Sequence, residues 1–179
     1  MVPVRFDKAR IEALLALAVE QLDGDWLLIG GAAAATWFSI ARTTEDVDLV
    51  GLAGTSAERL ALMNLADSAG LPIEAVNSAA DFFVRKIDGW RDELVPLVQG
   101  PRTTIYRPSA TLFLLLKIER LTPVDLDDCV ALLDHCAATG EVVDRERVLS
   151  RLGSLPPTSD TGRQERRGAL EELLCTHAP

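Results

Sequence analysis

The spacing of apolar residues changes period several times along the chain. Over residues 6–22 they recur at Ile11, Leu14, Leu15, Ala18 and Leu22, which is one face of a helix. Asp23-Gly24-Asp25 ends that pattern. Trp26-Leu27-Leu28-Ile29 is a short unbroken apolar run that stops at Gly30-Gly31, as a buried strand entering a tight turn does. Residues 32–40 are alanine-rich and predict a helix, and Val47, Leu49 and Val50 predict a second buried strand closed by Gly51. Thr55 and Glu58 have capping-box spacing, so a helix runs from there to Ala69, with Gly70 as its stop. Residues 71–76 read as a third strand and 103–106 as a fourth. Between them Asp88-Gly89 marks a turn, and Pro96 restricts any strand around it to a sheet edge.

After Pro108 the pattern is helical throughout. Residues 110–121 are apolar on nearly every face and predict a deeply buried helix. Thr122 and Pro123 open the next one as N-cap and first residue. Its expected stripe is Leu126, Cys129, Val130, Leu133, Cys136 and Ala137, ended by Gly140. Asp144 caps a short helix to about residue 152. A linker near 154–162 precedes a last, weakly held helix over 163–174. The succession predicts an α/β (α+β) fold: a small mixed sheet flanked by helices over 1–107, then a helical part over 108–179.

Composition narrows the classes. The chain has 179 residues, 48% of them hydrophobic and 25% charged, as in an ordinary globular domain. No apolar run reaches the ~18–20 residues that span a bilayer, and no leader-like block is expected at the start of the chain; a cytoplasmic protein is expected from the odd count of cysteines. Three widely spaced cysteines, Cys129, Cys136 and Cys175, read as reduced thiols, the first two as core. Two histidines, His135 and His177, leave little from which to build a zinc site. With 27 acids against 18 bases, the net charge of −9 argues against sequence-blind binding to a nucleic-acid backbone. A small anion held by local cations and a metal ion stays compatible with it.

Candidate chemistry concentrates in IGGAAAATWFSIARTTEDVDLV, residues 29–50. Asp46 and Asp48 stand at i and i+2, which on a strand directs both carboxylates to one face. Two readings follow: both acids reach solvent at a strand end, or a divalent cation relieves their repulsion. Mg²⁺ suits the second, because it takes hard oxygen ligands from one or two carboxylates and from phosphates. Gly30-Gly31 is either a plain turn or a phosphate cradle at a helix N-terminus. Lys117, amid Leu114, Leu115, Leu116 and Ile118, either runs its stem along the core toward water or neutralises a phosphate. Asp125 and Asp128 share one helix side near a helix start, where an acid is stabilising in any case.

Gly30-Gly31 followed by Arg42-x-Thr44-x-Asp46-x-Asp48 resembles the nucleotidyltransferase fold of the DNA polymerase β superfamily, most of all its minimal and AbiEii-type prokaryotic members. The run ending in Lys117, then Asp125-Leu126-Asp127-Asp128, resembles that family's second half. The resemblance implies that Gly30, Gly31, Arg42 and Thr44 hold a nucleoside triphosphate. It implies that Asp46 and Asp48 bind Mg²⁺, with Glu74 as the third carboxylate on the next strand, and that Lys117 serves the reaction. The implied activity is Mg²⁺-dependent transfer of a nucleoside monophosphate to an RNA (tRNA) or protein acceptor, in a toxin–antitoxin setting. The alternative within the same fold is a catalytically silent binding or antitoxin partner. A generic α/β domain with solvated acids is the third reading.

Overall fold

The computed structural model describes residues 4–176, and the chain folds as two compact units, Met1–Pro108 and Ser109–Pro179. The first unit is α/β. Helix α1 (Lys8–Gln21) starts at Asp7, whose carboxylate accepts from Arg10 N (2.9 Å), and buries Ile11, Leu14, Leu15 and Ala18. Strand β1 (Gly24–Ile29) is buried from Trp26 onward. Helix α2 (Gly30–Trp37) follows without an intervening loop and buries four successive alanines, Ala32–Ala35. Side chains this small let the helix lie close against β1 and β2 (Val47–Gly51).

Helix α3 (Ser56–Ser68) opens with Glu58 accepting from the amides of Thr55 (2.7 Å) and Ala53 (3.0 Å), and ends before Gly70 at φ +65°. The expected third strand over 71–76 is mostly absent. A 3₁₀ turn occupies Ile73–Ala75, and β3 is only Val76–Asn77. Pro72 explains the difference: it lacks an N–H, and its carbonyl accepts from Ala75 N (2.9 Å) in a turn. A short helix α4 (Asp81–Val84), a left-handed Gly89 and a 3₁₀ turn at Trp90–Glu93 lead to β4 (Leu94–Gln99), which forms a hairpin with β5 (Thr103–Pro108).

The five strands lie in the order β3-β2-β1-β5-β4. The sheet is mixed, with β1 antiparallel to β2 but parallel to β5, and β2 parallel to β3. Pro96 falls on edge strand β4, where the register also shifts between Pro96 and Val98.

The second unit is entirely helical among the described residues: α5 (Ala110–Ile118), α6 (Pro123–Thr139), α7 (Arg145–Ser154) and α8 (Thr161–Thr176). Three departures from the sequence pattern stand out. The buried face of α6 is Asp125, Asp128, Cys129, Leu132, Leu133 and Cys136, so Leu126 and Val130 are only half-buried and Ala137 is exposed. Helix α8 begins at Thr161, within the expected linker. It is firmly seated: Leu170 and Leu174 are buried, and Arg166 donates to the Leu121 carbonyl (2.6 Å). Among the described residues no helix is long and apolar enough to cross a membrane.

Candidate functional site: the turn between β1 and α2

The chain reverses at Gly30 with φ +68°, a conformation in which an L side chain meets its own backbone. Space excludes a side chain as well. A Cβ at Gly30 would stand 3.1 Å from Asp48 Oδ2, and one at Gly31 would stand 2.9 Å from Thr44 Oγ1 and 3.1 Å from an Arg42 guanidinium nitrogen. Two glycines thus bring the backbone up against a carboxylate, a hydroxyl and a guanidinium. The N-cap residue of α2 is Ile29, which offers no side-chain hydrogen bond to the first-turn amides. These amides carry the positive end of the helix dipole.

β2 begins at Val47, so Asp48 is a strand residue and half-buried, whereas Asp46 precedes the strand and is exposed. This corrects the expectation that both acids lie within one strand. Asp46 is tied to the turn through Thr44 instead: the Thr44 hydroxyl donates to Asp46 Oδ1 (3.2 Å), and Thr44 itself is pinned to Phe6 by paired backbone hydrogen bonds of 2.8 and 3.0 Å. The Arg42 guanidinium also donates to the Thr43 carbonyl, which folds it back on its own loop. Gly30, Gly31, Arg42, Thr44, Asp46 and Asp48 therefore gather at one turn. Its donors, two carboxylates and a hydroxyl, are the hard oxygens that Mg²⁺ takes, and the Asp48, Thr44 and Arg42 side chains close directly on the two glycines.

Glu74 does not join them. It is exposed in the 3₁₀ turn, and the residue of β3 in register with Asp48 is Asn77. Register partners on neighbouring strands share a sheet face, so a neutral amide stands where a third strand acid was expected. Asn77 Oδ1 accepts from Ala79 N (2.9 Å), and its amide nitrogen donates to the Glu74 carbonyl (3.4 Å). Sequence reasoning missed Asn77 because it continued the strand back through Pro72. Among the described residues no three His, Cys, Asp or Glu side chains form a metal-binding group.

Lys117 belongs to the helical unit and is 6% exposed. Its ammonium donates to Asp125 Oδ1 (2.9 Å) and Asp128 Oδ2 (2.7 Å), so it neither reaches water along its stem nor lacks a counter-charge. Arg120 adds two 3.0 Å bonds to Asp125, and Thr122 adds two more, from its backbone N–H and its hydroxyl. Burial alone raises the Asp125 carboxyl; the hydrogen bond from Arg120, the charge and hydrogen bond of Lys117, and Thr122 outweigh it and hold the group well below the usual carboxylate range. Nearby Cys129 is pushed up to about 12, first by burial. Of the histidines, His135 is half-buried and His177 lies outside the described residues.

Compared with protein-family models, curated proteins and solved structures, the chain matches none.

Proposed function

We propose that this protein binds a nucleoside triphosphate with Mg²⁺ at the β1–α2 turn and acts as a nucleotidyltransferase-like enzyme. The observation that carries the reading is the approach of Asp48 to Gly30 and of Thr44 to Gly31, at 3.1 and 2.9 Å from where Cβ atoms would stand. In this reading the first-turn amides of α2 and Arg42 hold phosphate oxygens, by dipole and charge. Asp46 and Asp48 hold the metal, and Thr44 orients Asp46. Bound Mg²⁺ supplies charge neutralisation to the phosphates. The acceptor is an RNA such as tRNA or a protein, and the setting a cytoplasmic toxin–antitoxin system; these rest on the motif resemblance.

Thermal unfolding tests the binding. Nucleoside triphosphate with Mg²⁺ should raise Tm by mass action, and Asp46→Asn combined with Asp48→Asn should remove the metal-dependent part of the rise. An unchanged rise in the double variant would exclude the acids as ligands. Transfer is tested with labelled nucleoside triphosphates, total tRNA and candidate protein acceptors.

Asn77 favours a second reading, a silent nucleotide-binding partner protein. A neutral amide beside Asp48 cannot take a proton from an acceptor as a carboxylate would. Nucleotide binding with no labelled product on any acceptor is the outcome expected of it.

A further inference from the structure

We infer that the groove beside β3 holds the nucleobase of the nucleoside triphosphate, an assignment that rests on the binding reading above and extends it to the base. The groove has a volume of about 540 Å³ and lies between α3, the 3₁₀ turn and α4. That is within the ~300–1,000 Å³ range of small-molecule sites. Its apolar walls are Met63, Ile73 and Phe82, which are 40%, 52% and 62% exposed. Large apolar side chains left this open, and collected on one groove, mark a binding surface more than an unfinished core.

The lining chemistry suits a planar heteroaromatic ring. Phe82 offers a ring for stacking, an interaction any base makes through its π-face. Phe83 meets it edge-on at 5.7 Å and the Lys86 ammonium lies 3.8 Å from its centroid, so the ring is braced. The charges along the groove are mixed: Glu74 and Asp81 line it with Arg59, and Asp81 is paired with Arg85 (2.7 Å). Arg59 and Ser78 line the same groove and supply hydrogen-bonding groups for a ring edge.

Asn77 joins groove and turn. It lines the groove, yet it stands in register with Asp48. Neighbouring strands are ~4.8 Å apart, so a residue of the groove wall is the backbone neighbour of Asp48. The Asn77 side chain also bonds to the backbone at Glu74 and Ala79, both groove residues, and so fixes the groove wall from the residue next to the carboxylate.

Calorimetric titration of the full chain separates the two sites, using Mg²⁺ with each common nucleoside triphosphate and Mg²⁺ with inorganic tripolyphosphate. At least one nucleoside triphosphate should bind about tenfold or more tighter than tripolyphosphate. Phe82→Ala should erase that difference without weakening tripolyphosphate, and Phe82→Trp should retain it. Asp48→Asn should weaken both probes. Equal affinity for both probes in the wild type, or nucleotide affinity unchanged by Phe82→Ala, overturns the base site and leaves the phosphate site standing. Failure of wild-type protein to bind either probe overturns both.

Discussion

Asn77 stands in register with Asp48 across the β2–β3 pair, and its side chain is held by the backbone at Ala79 and Glu74. Asn77→Asp keeps an oxygen for the Ala79 amide and adds a charge beside Asp48. It should tighten divalent-metal binding about tenfold, since an added anion a few ångströms from a cation contributes on the order of 1–2 kcal/mol under partial screening. Titration with Mn²⁺ measures it, and equal affinity in the variant would separate residue 77 from the metal site.

Gly30→Ala meets both a positive φ and the Asp48 carboxylate. The left-handed conformation alone costs about 1–2 kcal/mol, so Tm should fall by roughly 3–8 °C. Gly24→Ala is the control: φ is +78°, with nothing within 4 Å of its Cβ position. It should lower Tm similarly but leave nucleotide binding intact, whereas Gly30→Ala should abolish binding.

Lys117→Met leaves the buried Asp128 carboxylate without this ammonium and Asp125 with Arg120 and Thr122. Removing one partner of a buried pair costs about 3–5 kcal/mol. Chemical denaturation should show a loss of that size. Lys117→Met combined with Asp128→Asn should recover part of it, and no recovery would mean that the charges are not coupled.

The lowered carboxyl of Asp125 fixes the sign of one pH effect. The folded state holds this group ionised at pH values where the unfolded chain protonates it. Its contribution is therefore complete above the ordinary carboxylate range and is lost as pH falls from about 4 toward the lower folded value. Asp125→Asn should flatten the stability–pH slope below pH 4, as measured by denaturation at stepped pH.

Cys129 and Cys136 are buried, with the Cys129 thiol raised to about 12, while Cys175 is exposed. At pH 8 a thiol reagent should label Cys175 rapidly and the other two only on unfolding. Fast labelling of all three would show that the helical unit opens readily.

Much of this architecture is legible in the chain because local signals agree with the packing. The Trp26–Ile29 run, the Thr55 and Glu58 pair and the glycines at 30, 70, 89 and 140 each specify a boundary that the structure keeps. The departures have separate causes: Pro72 turns the chain locally where a third strand was expected, and elsewhere tertiary contacts decide. Apolar periodicity placed the inner face of α6 on Leu126 and Val130, but the pull of Lys117 on Asp125 and Asp128 turns the helix toward two acids. Helix α8, expected to be weakly held, is seated by Leu170 and Leu174 and by the reach of Arg166 to Leu121. At the candidate site, Thr44 was visible only as one member of a motif. Its bridge to Phe6, which sets the position of Asp46, joins residues far apart in sequence and leaves no local trace.

The strand order also decides how the sheet meets other chains. One outer strand, β3, is two residues long and offers almost no template for further pairing. The other, β4, carries Pro96 at its centre, with the register slipping immediately after it. A proline there withholds a donor, and the slip bends the strand away from a straight ladder. Both borders thus disfavour strand addition, so the buried strands β1 and β2 can be crowded among copies of the chain with little tendency to recruit them into a growing sheet.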